Sequence, residues 1–476
     1  MTGDDARRSA TLPLVAGLVV YAVLLFTGNR LLTDADTYWQ IAVGQWIVQH
    51  RTVPVADVYS FTMRGDTWRS TQWLAQVVMS QVYAWGGWSG VVALTSLGIA
   101  TSFALLARFL SRSLGAVPVT LILCASLCVA WPHLYARPHA LAMPVMVAWT
   151  GALLSAAERQ AAPPLVTVAL MALWVNLHGS FVLGLLLIVP ISLDAVLTAP
   201  LSDRKALAMR WIVFGAVALI ASFITPYGWN ALAATRAVLN LGEALTLINE
   251  WKPANFGAPG ALEIVALGSL ALVLLAGVRL PAMRAVLFVG LMYMALVHVR
   301  HGDVFALLAP MVVAAPLAAQ FESLAAGVAA PARGRILAIA AGLMIAITAG
   351  AIESARYLPS THNAPEAAVA ILKQNGSMRV FNDYDFGGYL IAQGVPTFID
   401  GRTELYGEKF FMQFSRARDL KTTADLLDVL ERYKIDATLL RRSAPAVQYL
   451  DQAEGWRKVF VDGDVVVHLR DGPAQN

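Results

Sequence analysis

The sequence predicts a polytopic α-helical membrane protein with about eleven crossing helices and a C-terminal α/β domain outside the membrane. Of the 476 residues, 58% are hydrophobic and 14% are charged, and the mean hydropathy is +0.61. Ordinary soluble proteins are far less apolar. The apolar residues are gathered into segments long enough to cross a bilayer, and the basic residues alternate between successive loops.

The predicted crossing segments are separated by polar loops. They cover residues 11–28, 90–109, 117–136, 138–156, 163–177, 180–198, 208–225, 259–277, 282–297, 303–320 and 335–352. The segment 163–177 is short, so we expect it to be tilted, broken or re-entrant. The first segment has no clear small-residue cleavage site after its apolar run, which indicates a retained helix and not a signal peptide.

The distribution of Lys and Arg predicts the orientation of these helices. With the N-terminus inside, the inside loops hold Arg7, Arg8, Arg108, Arg112, Arg159, Arg204, Lys205, Arg210, Arg279, Arg284, Arg333 and Arg335. The short outside loops are poorer, with Arg137 in one and Arg300 in another. This is the positive-inside pattern, and an odd number of crossings then places the C-terminal segment outside.

Two domains are predicted. Residues 1–352 form the helical membrane domain, whose first outside loop, 29–89, contains two amphipathic helices at 37–49 and 73–85 that can lie in the membrane interface. Residues 353–476 have soluble composition. They alternate strand-like runs (379–382, 397–400, 437–440) with helical patterns (366–375, 422–433, 445–453), which predicts a largely parallel sheet. A hairpin is predicted at 458–469, around Asp462-Gly-Asp464.

Two carboxylates, Asp34 and Asp36, follow the first apolar segment directly. At a membrane surface, such a pair can hold a divalent ion such as Mg²⁺ or Mn²⁺, or can take a proton from an attacking hydroxyl. They could equally be solvated loop charges or an N-cap for the helix at 37–49.

Other unusual polar residues fall on the same predicted side of the membrane. They are Arg137, His139, Asn176, His178, Glu250, Arg300, His301 and Asp303. Polar groups near hydrocarbon are costly and usually face a bundle interior or a cavity, so together they predict a site that opens outward. Simpler interpretations remain: Arg137 could snorkel to the interface, His178 could be a packing residue, and Glu250 could pair with Lys252 or Arg236.

Several common chemistries have no support in the sequence. It contains no P-loop, GxGxxG, HExxH or Gly-x-Ser-x-Gly motif. The formal net charge of +4 is small and gives no indication of a nucleic-acid partner. Outward-facing carboxylates, arginines and histidines suit a lipid-linked phosphate substrate, because arginine binds phosphate and carboxylate activates a hydroxyl.

Within the C-terminal segment, Asp383, Asp400 and Arg402 follow strand-like runs. Ligands of parallel α/β sheets bind at the carboxyl ends of strands, so we expect these side chains to line one crevice. The alternative is that Asp400 and Arg402 form a structural ion pair and that the glycines at 387, 388 and 401 simply make turns.

Several motifs together resemble the GT-C superfamily of integral-membrane glycosyltransferases, specifically a bacterial group within it. They are Asp34-Ala-Asp-Thr-Tyr-Trp-Gln-Ile-Ala-Val-Gly-Gln-Trp-Ile47, Trp174–Gly179, Asn249–Trp251, Val299–Gly302, Asn382–Tyr389 and Phe398–Arg402. The resemblance covers most of the chain. It implies transfer of a sugar from a polyprenyl-phosphate carrier to an acceptor outside the bacterial inner membrane, with the N-terminus cytoplasmic and the C-terminal domain periplasmic.

The resemblance also implies roles for residues. Asp34 or Asp36 would be the general base or a metal ligand; Arg300, Arg137 and His301 would stabilise the leaving phosphate. The C-terminal domain would help to select the acceptor. The chain departs from the group at Gln40, where the group often has His, and at Thr71-Gln72-Trp73, where it often has His-Glu-Trp. These departures favour the alternative of a non-catalytic GT-C scaffold that binds polysaccharide or assists envelope assembly.

Overall fold

The computed structural model describes residues 3–239, 241–325 and 334–471. Arg333, assigned above to an inside loop, lies outside these ranges. The α-helices are α1 (Gly3–Phe26), α2 (Gly28–Leu31), α3 (Asp36–His50), α4 (Trp73–Leu110), α5 (Ala116–Ala130), α6 (Pro138–Glu158), α7 (Val168–Leu177), α8 (Phe181–Thr198), α9 (Arg204–Ala221), α10 (Asn230–Leu239), α11 (Ala261–Ala276), α12 (Ala282–Val297), α13 (Gly302–Gln320), α14 (Gly334–Ser354), α15 (Glu366–Gln374), α16 (Gly387–Ala392), α17 (Thr403–Arg418), α18 (Thr423–Arg432) and α19 (Pro445–Leu450). Short 3-10 helices cover Trp131–His133, Leu165–Thr167, Gly242–Leu247, Asn249–Trp251, Val299–His301, Glu322–Leu324, Thr361–Asn363 and Tyr384–Phe386.

The chain divides into two compact units. Unit 1 comprises Met1–Leu31, Val91–Ala231 and Thr246–Arg356, and unit 2 comprises Leu32–Gly90, Leu232–Leu245 and Tyr357–Asn476. Unit 2 therefore combines the predicted first outside loop with the C-terminal segment. The predicted domains, 1–352 and 353–476, stay a prediction.

Every predicted crossing segment coincides with a helix, and six helices among the described residues are long and apolar enough to cross a membrane. These are Trp73–Leu110, Ala116–His133, Pro138–Glu158, Phe181–Thr198, Val299–Gln320 and Ile336–Glu353. Shorter apolar helices cover Thr11–Phe26, Leu165–Leu177, Ala261–Ala276 and Ala282–Val297. A multi-pass membrane protein is confirmed by these helices, while the number of eleven crossings stays a prediction.

The helices of unit 1 pack in a connected series. α6 contacts α7 and α8, α8 contacts α9 and α12, and α12 contacts α13. Large buried rings fill the space between them: Trp149 and Trp174 are both fully buried, and the Trp149 indole N–H donates to the Gly184 carbonyl over 2.9 Å. A Cβ on Gly184 would lie 2.5 Å from the Trp174 ring, so only glycine permits this approach of α7 to α8.

Unit 2 contains a mixed four-stranded sheet in the order β1-β2-β4-β3, not the largely parallel sheet predicted. The strands are β1 (Val380–Asn382), β2 (Ala437–Arg441), β3 (Trp456–Asp462) and β4 (Val465–Arg470). β1 and β2 are parallel, whereas the predicted hairpin adds β3 and β4 antiparallel. The sheet therefore has two antiparallel strand pairings and one parallel pairing.

The predicted strand at 397–400 does not form. Thr397 makes only isolated bridges, to Val380 and to Ser60. The reason is the buried Asn382 side chain, which accepts a hydrogen bond from the Phe398 N–H (2.8 Å) and donates to the Ile399 carbonyl (2.8 Å). A side-chain amide therefore takes the place of a strand partner, because it has the same donor and acceptor as a peptide group.

Helix α3 is held in unit 2 by close backbone contacts at glycines. A Cβ on Gly44 would lie 2.0 Å from the Gln76 carbonyl oxygen of α4, and a Cβ on Gly388 would lie 2.2 Å from the Ala35 carbonyl oxygen. Real Cβ atoms do not approach oxygen so closely. The first part of α4 and the short helix α16 therefore both pack directly on the backbone of the segment that starts with Asp34.

Replacement of Gly44 by Ala tests this packing. Alanine favours a helix more than glycine does, yet we expect Gly44→Ala to destabilise the protein by about 2 kcal/mol because the obstructing Gln76 oxygen belongs to the backbone. The melting temperature of the purified protein is the measurement. Gly86→Ala is the control, since no atom lies within 4 Å of a Cβ there. Equal melting temperatures for the two variants would contradict the packing described.

Candidate functional site

Asp34 and Asp36 are held in place at the start of α3 in unit 2. Asp34 is 8% exposed, and its Oδ1 accepts the Asp36 N–H over 2.7 Å, as in an Asx-turn. Asp36 Oδ1 accepts the Trp39 indole N–H over 2.9 Å, and a Cβ on Gly401 would lie 1.9 Å from the same oxygen. Asp34 therefore shapes the beginning of the helix, and Asp36 is an oriented carboxylate rather than a freely solvated loop charge.

The turn next to Asp36 contains a buried charge cluster. Arg402 is fully enclosed, with its Nη1 2.5 Å from Asp57 Oδ1 and its Nη2 2.7 Å from Asp400 Oδ2. The Tyr406 hydroxyl also donates to Asp400 (2.7 Å), and the Trp68 ring centre lies 4.7 Å from the guanidinium. Burial alone would raise the pKa of Asp400, but Arg402 and these hydrogen bonds lower it below its usual range. The cluster fits a structural ion pair that fixes the backbone beside Asp36.

Asp383 lies at the end of β1 and is 2% exposed. Its Oδ1 is 3.5 Å from Arg418 Nη1, and burial raises its pKa. Asp383 thus shares unit 2 with Asp400 and Arg402, and Asn382 connects the strand that precedes it to Phe398 and Ile399.

The two departures from the GT-C group contact each other. Gln40 Nε2 donates to Gln72 Oε1 over 3.2 Å, and Gln76 Nε2 donates to Gln40 Oε1 over 2.7 Å. Ser70 completes the network by donating to Gln76 Oε1 over 2.9 Å. The replaced positions therefore form a neutral amide network that joins α3 to α4, in which every member finds a partner.

Unit 1 carries a second group of predicted residues. Arg137 Nη1 donates to both oxygens of Glu250, over 2.8 and 3.0 Å. Glu250 therefore pairs with Arg137 and not with Lys252, whose ammonium donates to Asn249 Oδ1. Burial would raise the pKa of Glu250, but Arg137 and Arg300 together lower it to about 2. The carboxylate is consequently ionised at any ordinary pH.

Arg300 is the cation of this group with the fewest polar contacts. Its guanidinium lies 4.3 Å from the centre of the Trp251 ring. Within the described ranges its side chain makes no hydrogen bond and no ion pair. The rings of His298 and His301 also contact Trp251, and each donates its Nδ1–H to a backbone carbonyl, of Trp251 and Met294 respectively. An arginine supported by an aromatic face is suited to binding a phosphate.

The remaining predicted residues of unit 1 make local contacts. The His139 and His178 ring centres are 6.3 Å apart, and burial together with His139 lowers the pKa of His178 to about 3, so His178 is neutral. Asn176 donates to the carbonyls of Ala172 and Ile224 (2.7 and 2.8 Å). Asp303 Oδ1 accepts the Val304 N–H over 2.7 Å at the beginning of α13.

The predicted site residues thus form two sets. Unit 1 brings Arg137 and Glu250 into contact, with Arg300 close enough to lower the Glu250 pKa. Unit 2 brings Asp34 and Asp36 together with the turn at 400–402. Sequence reasoning missed Asp57 and Gly401 as partners of these residues. A single sequence gives no signal for the pairing of Asp57 with Arg402, because the two are 345 positions apart.

A divalent cation at Asp34 and Asp36 stays a prediction. In the part of the chain that the structure describes, no three His, Cys, Asp or Glu side chains gather in a metal-binding arrangement. Mg²⁺ commonly binds through one or two carboxylates and completes its shell with water and substrate phosphate. Asp34 and Asp36 could supply those two ligands.

The Arg137–Glu250 pair predicts a pH dependence. Because the pKa of Glu250 is lowered from 4.5 to about 2, the pair stabilises the fold fully above about pH 4.5, and this contribution is lost as the pH falls towards 2. We expect Glu250→Gln to lower the melting temperature at neutral pH, with the difference from the unmodified protein shrinking below about pH 4.5. The exposed Glu454→Gln serves as control. A difference that stays constant down to the lowest pH would contradict the pairing.

No protein-family model and no curated protein sequence matches this chain. Among solved structures, it is similar to the archaeal oligosaccharyltransferase AglB from Archaeoglobus fulgidus in complex with an inhibitory peptide and a dolichol-phosphate, with a TM-score of 0.58 and 11% identity over 92% of this chain and 70% of that one. The apo form of the Archaeoglobus fulgidus oligosaccharyltransferase gives a TM-score of 0.53 and 11% identity over 90% and 69%. AglB is a GT-C superfamily glycosyltransferase, and identity at this level establishes the fold alone. The chain therefore has an AglB-like fold.

Proposed function

We propose that this chain is an inverting membrane glycosyltransferase that moves a sugar from a polyprenyl-phosphate carrier to an acceptor outside the bacterial inner membrane. The observation that carries the proposal is the AglB-like fold, which extends over 92% of the chain. The bound dolichol-phosphate belongs to that neighbour and supports a lipid-linked phosphate as the kind of donor here. Transfer of a sugar from such a donor is helped by a base for the acceptor hydroxyl and a cation for the phosphate, and Asp36 and Arg300 are the candidates.

The base in this proposal is Asp36, oriented by Asp34 and Trp39. Its carboxylate takes the proton of the acceptor hydroxyl as the hydroxyl oxygen bonds to the anomeric carbon. The bond from that carbon to the phosphate oxygen breaks, and the phosphate leaves with the electron pair. A Mg²⁺ or Mn²⁺ ion at Asp34 and Asp36 would supply positive charge for the departing phosphate.

Arg300 is the principal phosphate contact in this proposal. Its guanidinium has no carboxylate partner among the described residues, whereas the charge of Arg137 is largely balanced by Glu250. Arg137 and His301 would add hydrogen bonds to the phosphate, and His178 and Glu250 would line the part of the site that holds the donor. Transition-state charge is stabilised best by donors that are already in place, and the Trp251 ring holds Arg300 in such a position.

The acceptor would be bound with the help of the C-terminal part of unit 2. Asp383 is the candidate for contact with the acceptor, because its only ion pair is the long one to Arg418 among the residues described. Asp400 and Arg402 would hold the backbone of the site in position without contacting the acceptor, because both side chains are fully buried.

Replacement of Asp36 by Ala tests the proposal. With purified protein and polyprenyl-phosphate sugars, we expect Asp36→Ala to lower the rate of transfer by at least about a hundredfold, the usual contribution of a general base. Asp34→Ala should lower it less, because Asp34 orients Asp36. The product is measured by mass spectrometry of the acceptor.

Asp66→Ala is the matched control, because Asp66 is an exposed aspartate of the same loop. Undiminished transfer by the Asp34→Ala/Asp36→Ala double variant would contradict the assigned base. If the unmodified protein binds the lipid and transfers no sugar from any donor, the non-catalytic scaffold is the correct interpretation.

A further inference from the structure

Four helices of unit 1 carry polar residues at both ends. At one end lie the predicted site residues, beside the starts of α6, α8 and α13 and the end of α12. At the other end lie Glu158 of α6, Asp194 of α8, Arg284 of α12 and Gln320 of α13. Helix α6 has 21 residues, so the two ends are about 30 Å apart, the thickness of the hydrocarbon layer.

The second set of residues surrounds a cavity of about 650 Å³. Its polar lining consists of Glu158, Gln160, Asp194, Thr198, Arg279, Arg284 and Gln320. A cavity of this size holds a small molecule or a lipid headgroup. Its walls are the last turns of α6, α8 and α13, which are long enough to span a membrane, and the first turn of α12, so it lies at the level where phospholipid headgroups are found.

The carboxylates of this cavity are incompletely satisfied. Arg284 Nε bonds to Asp194 Oδ2 over 2.6 Å, and its Nη1 donates to the Val312 carbonyl. Asp194 is 6% exposed, and its Oδ1 accepts no hydrogen bond from the described residues. Glu158 is exposed, and its ion pair with Arg284, at 3.7 Å, is its only one among the described residues and is too long for a hydrogen bond. A buried carboxylate oxygen without a donor is costly, so the cavity favours a ligand that donates N–H groups.

The cavity is also lined by a positively charged side chain, that of Arg279. Arg279 is exposed, and its side chain makes no ion pair with the described part of the chain. Its backbone N–H is bound by Gln320 Oε1 over 2.9 Å, and Gln320 Nε2 donates to the Gly277 carbonyl, so the turn that carries Arg279 is fixed. An exposed guanidinium on a fixed turn, beside these carboxylates, matches a ligand that carries both a phosphate and an ammonium group.

We propose that this cavity binds the headgroup of a zwitterionic phospholipid with a primary ammonium group, a phosphoethanolamine lipid. The ammonium donates to Glu158 and Asp194, and the phosphate pairs with Arg279. Among the described residues, two carboxylates and two arginines line the cavity, so their formal charges sum to zero, which suits a zwitterion better than an anionic lipid. A phosphocholine lipid has the same charges and no N–H donor, and it therefore leaves the carboxylates unsatisfied.

Native mass spectrometry of the full chain with equal amounts of phosphoethanolamine, phosphocholine and phosphoglycerol lipids tests this site. We expect the unmodified protein to retain the phosphoethanolamine lipid roughly tenfold more than the phosphocholine lipid, the value of about one charged hydrogen bond. Glu158→Gln and Asp194→Asn should abolish this preference. Arg279→Gln should weaken retention of both zwitterionic lipids.

Asp203→Asn is the control, since Asp203 is an exposed acid that does not line the cavity, and it should behave as the unmodified protein does. If Asp194→Asn fails to fold because Arg284 loses its partner, Glu158→Gln still tests whether the carboxylates cause the preference for the phosphoethanolamine lipid. Equal retention of phosphoethanolamine and phosphocholine lipids would overturn the proposal. Preferential retention of the phosphoglycerol lipid would overturn it as well, and would indicate an anionic-lipid site. None of these outcomes depends on transferase activity.

Discussion

The buried Arg402 guanidinium is the interaction on which unit 2 depends. It joins Asp57, in the segment after α3, to Asp400, in the C-terminal segment, with no exposure of any of the three side chains to solvent. Loss of one member of such a cluster leaves a buried charge unpaired and costs about 3–5 kcal/mol. The turn that carries this arginine also carries Gly401, whose Cα faces Asp36 Oδ1. A structural charge cluster therefore determines where the candidate base is held.

Much of this architecture follows from the sequence, because it depends on local patterns. Apolar segments, the hairpin around Asp462-Gly-Asp464 and the helix after Asp36 are set by hydrophobicity, turn residues and periodicity within a few positions. The close contacts at Gly44 and Gly388 were not predictable, because a glycine in a single sequence does not reveal which backbone approaches it. The strand expected at 397–400 failed for a similar reason: its partner is the side chain of Asn382.

Unit 1 shows how membrane-spanning helices can separate two polar regions. Between their ends the helices are apolar, so charged groups are confined to the two levels where water and headgroups are present. At one level Glu250 balances Arg137 while Arg300 rests on Trp251, and at the other Arg284 is shared by Asp194 and Glu158. Arg300 at one level and Arg279 at the other have no carboxylate partner among the described residues, and a guanidinium in that position can bind a phosphate.

The most direct test of a lipid-linked phosphate donor is an experimental structure of the full chain with a polyprenyl phosphate bound. We expect the lipid phosphate to contact the Arg300 guanidinium, with Arg137 still paired to Glu250. A phosphate bound elsewhere, with Arg300 remote from it, would contradict the proposed function at its central step.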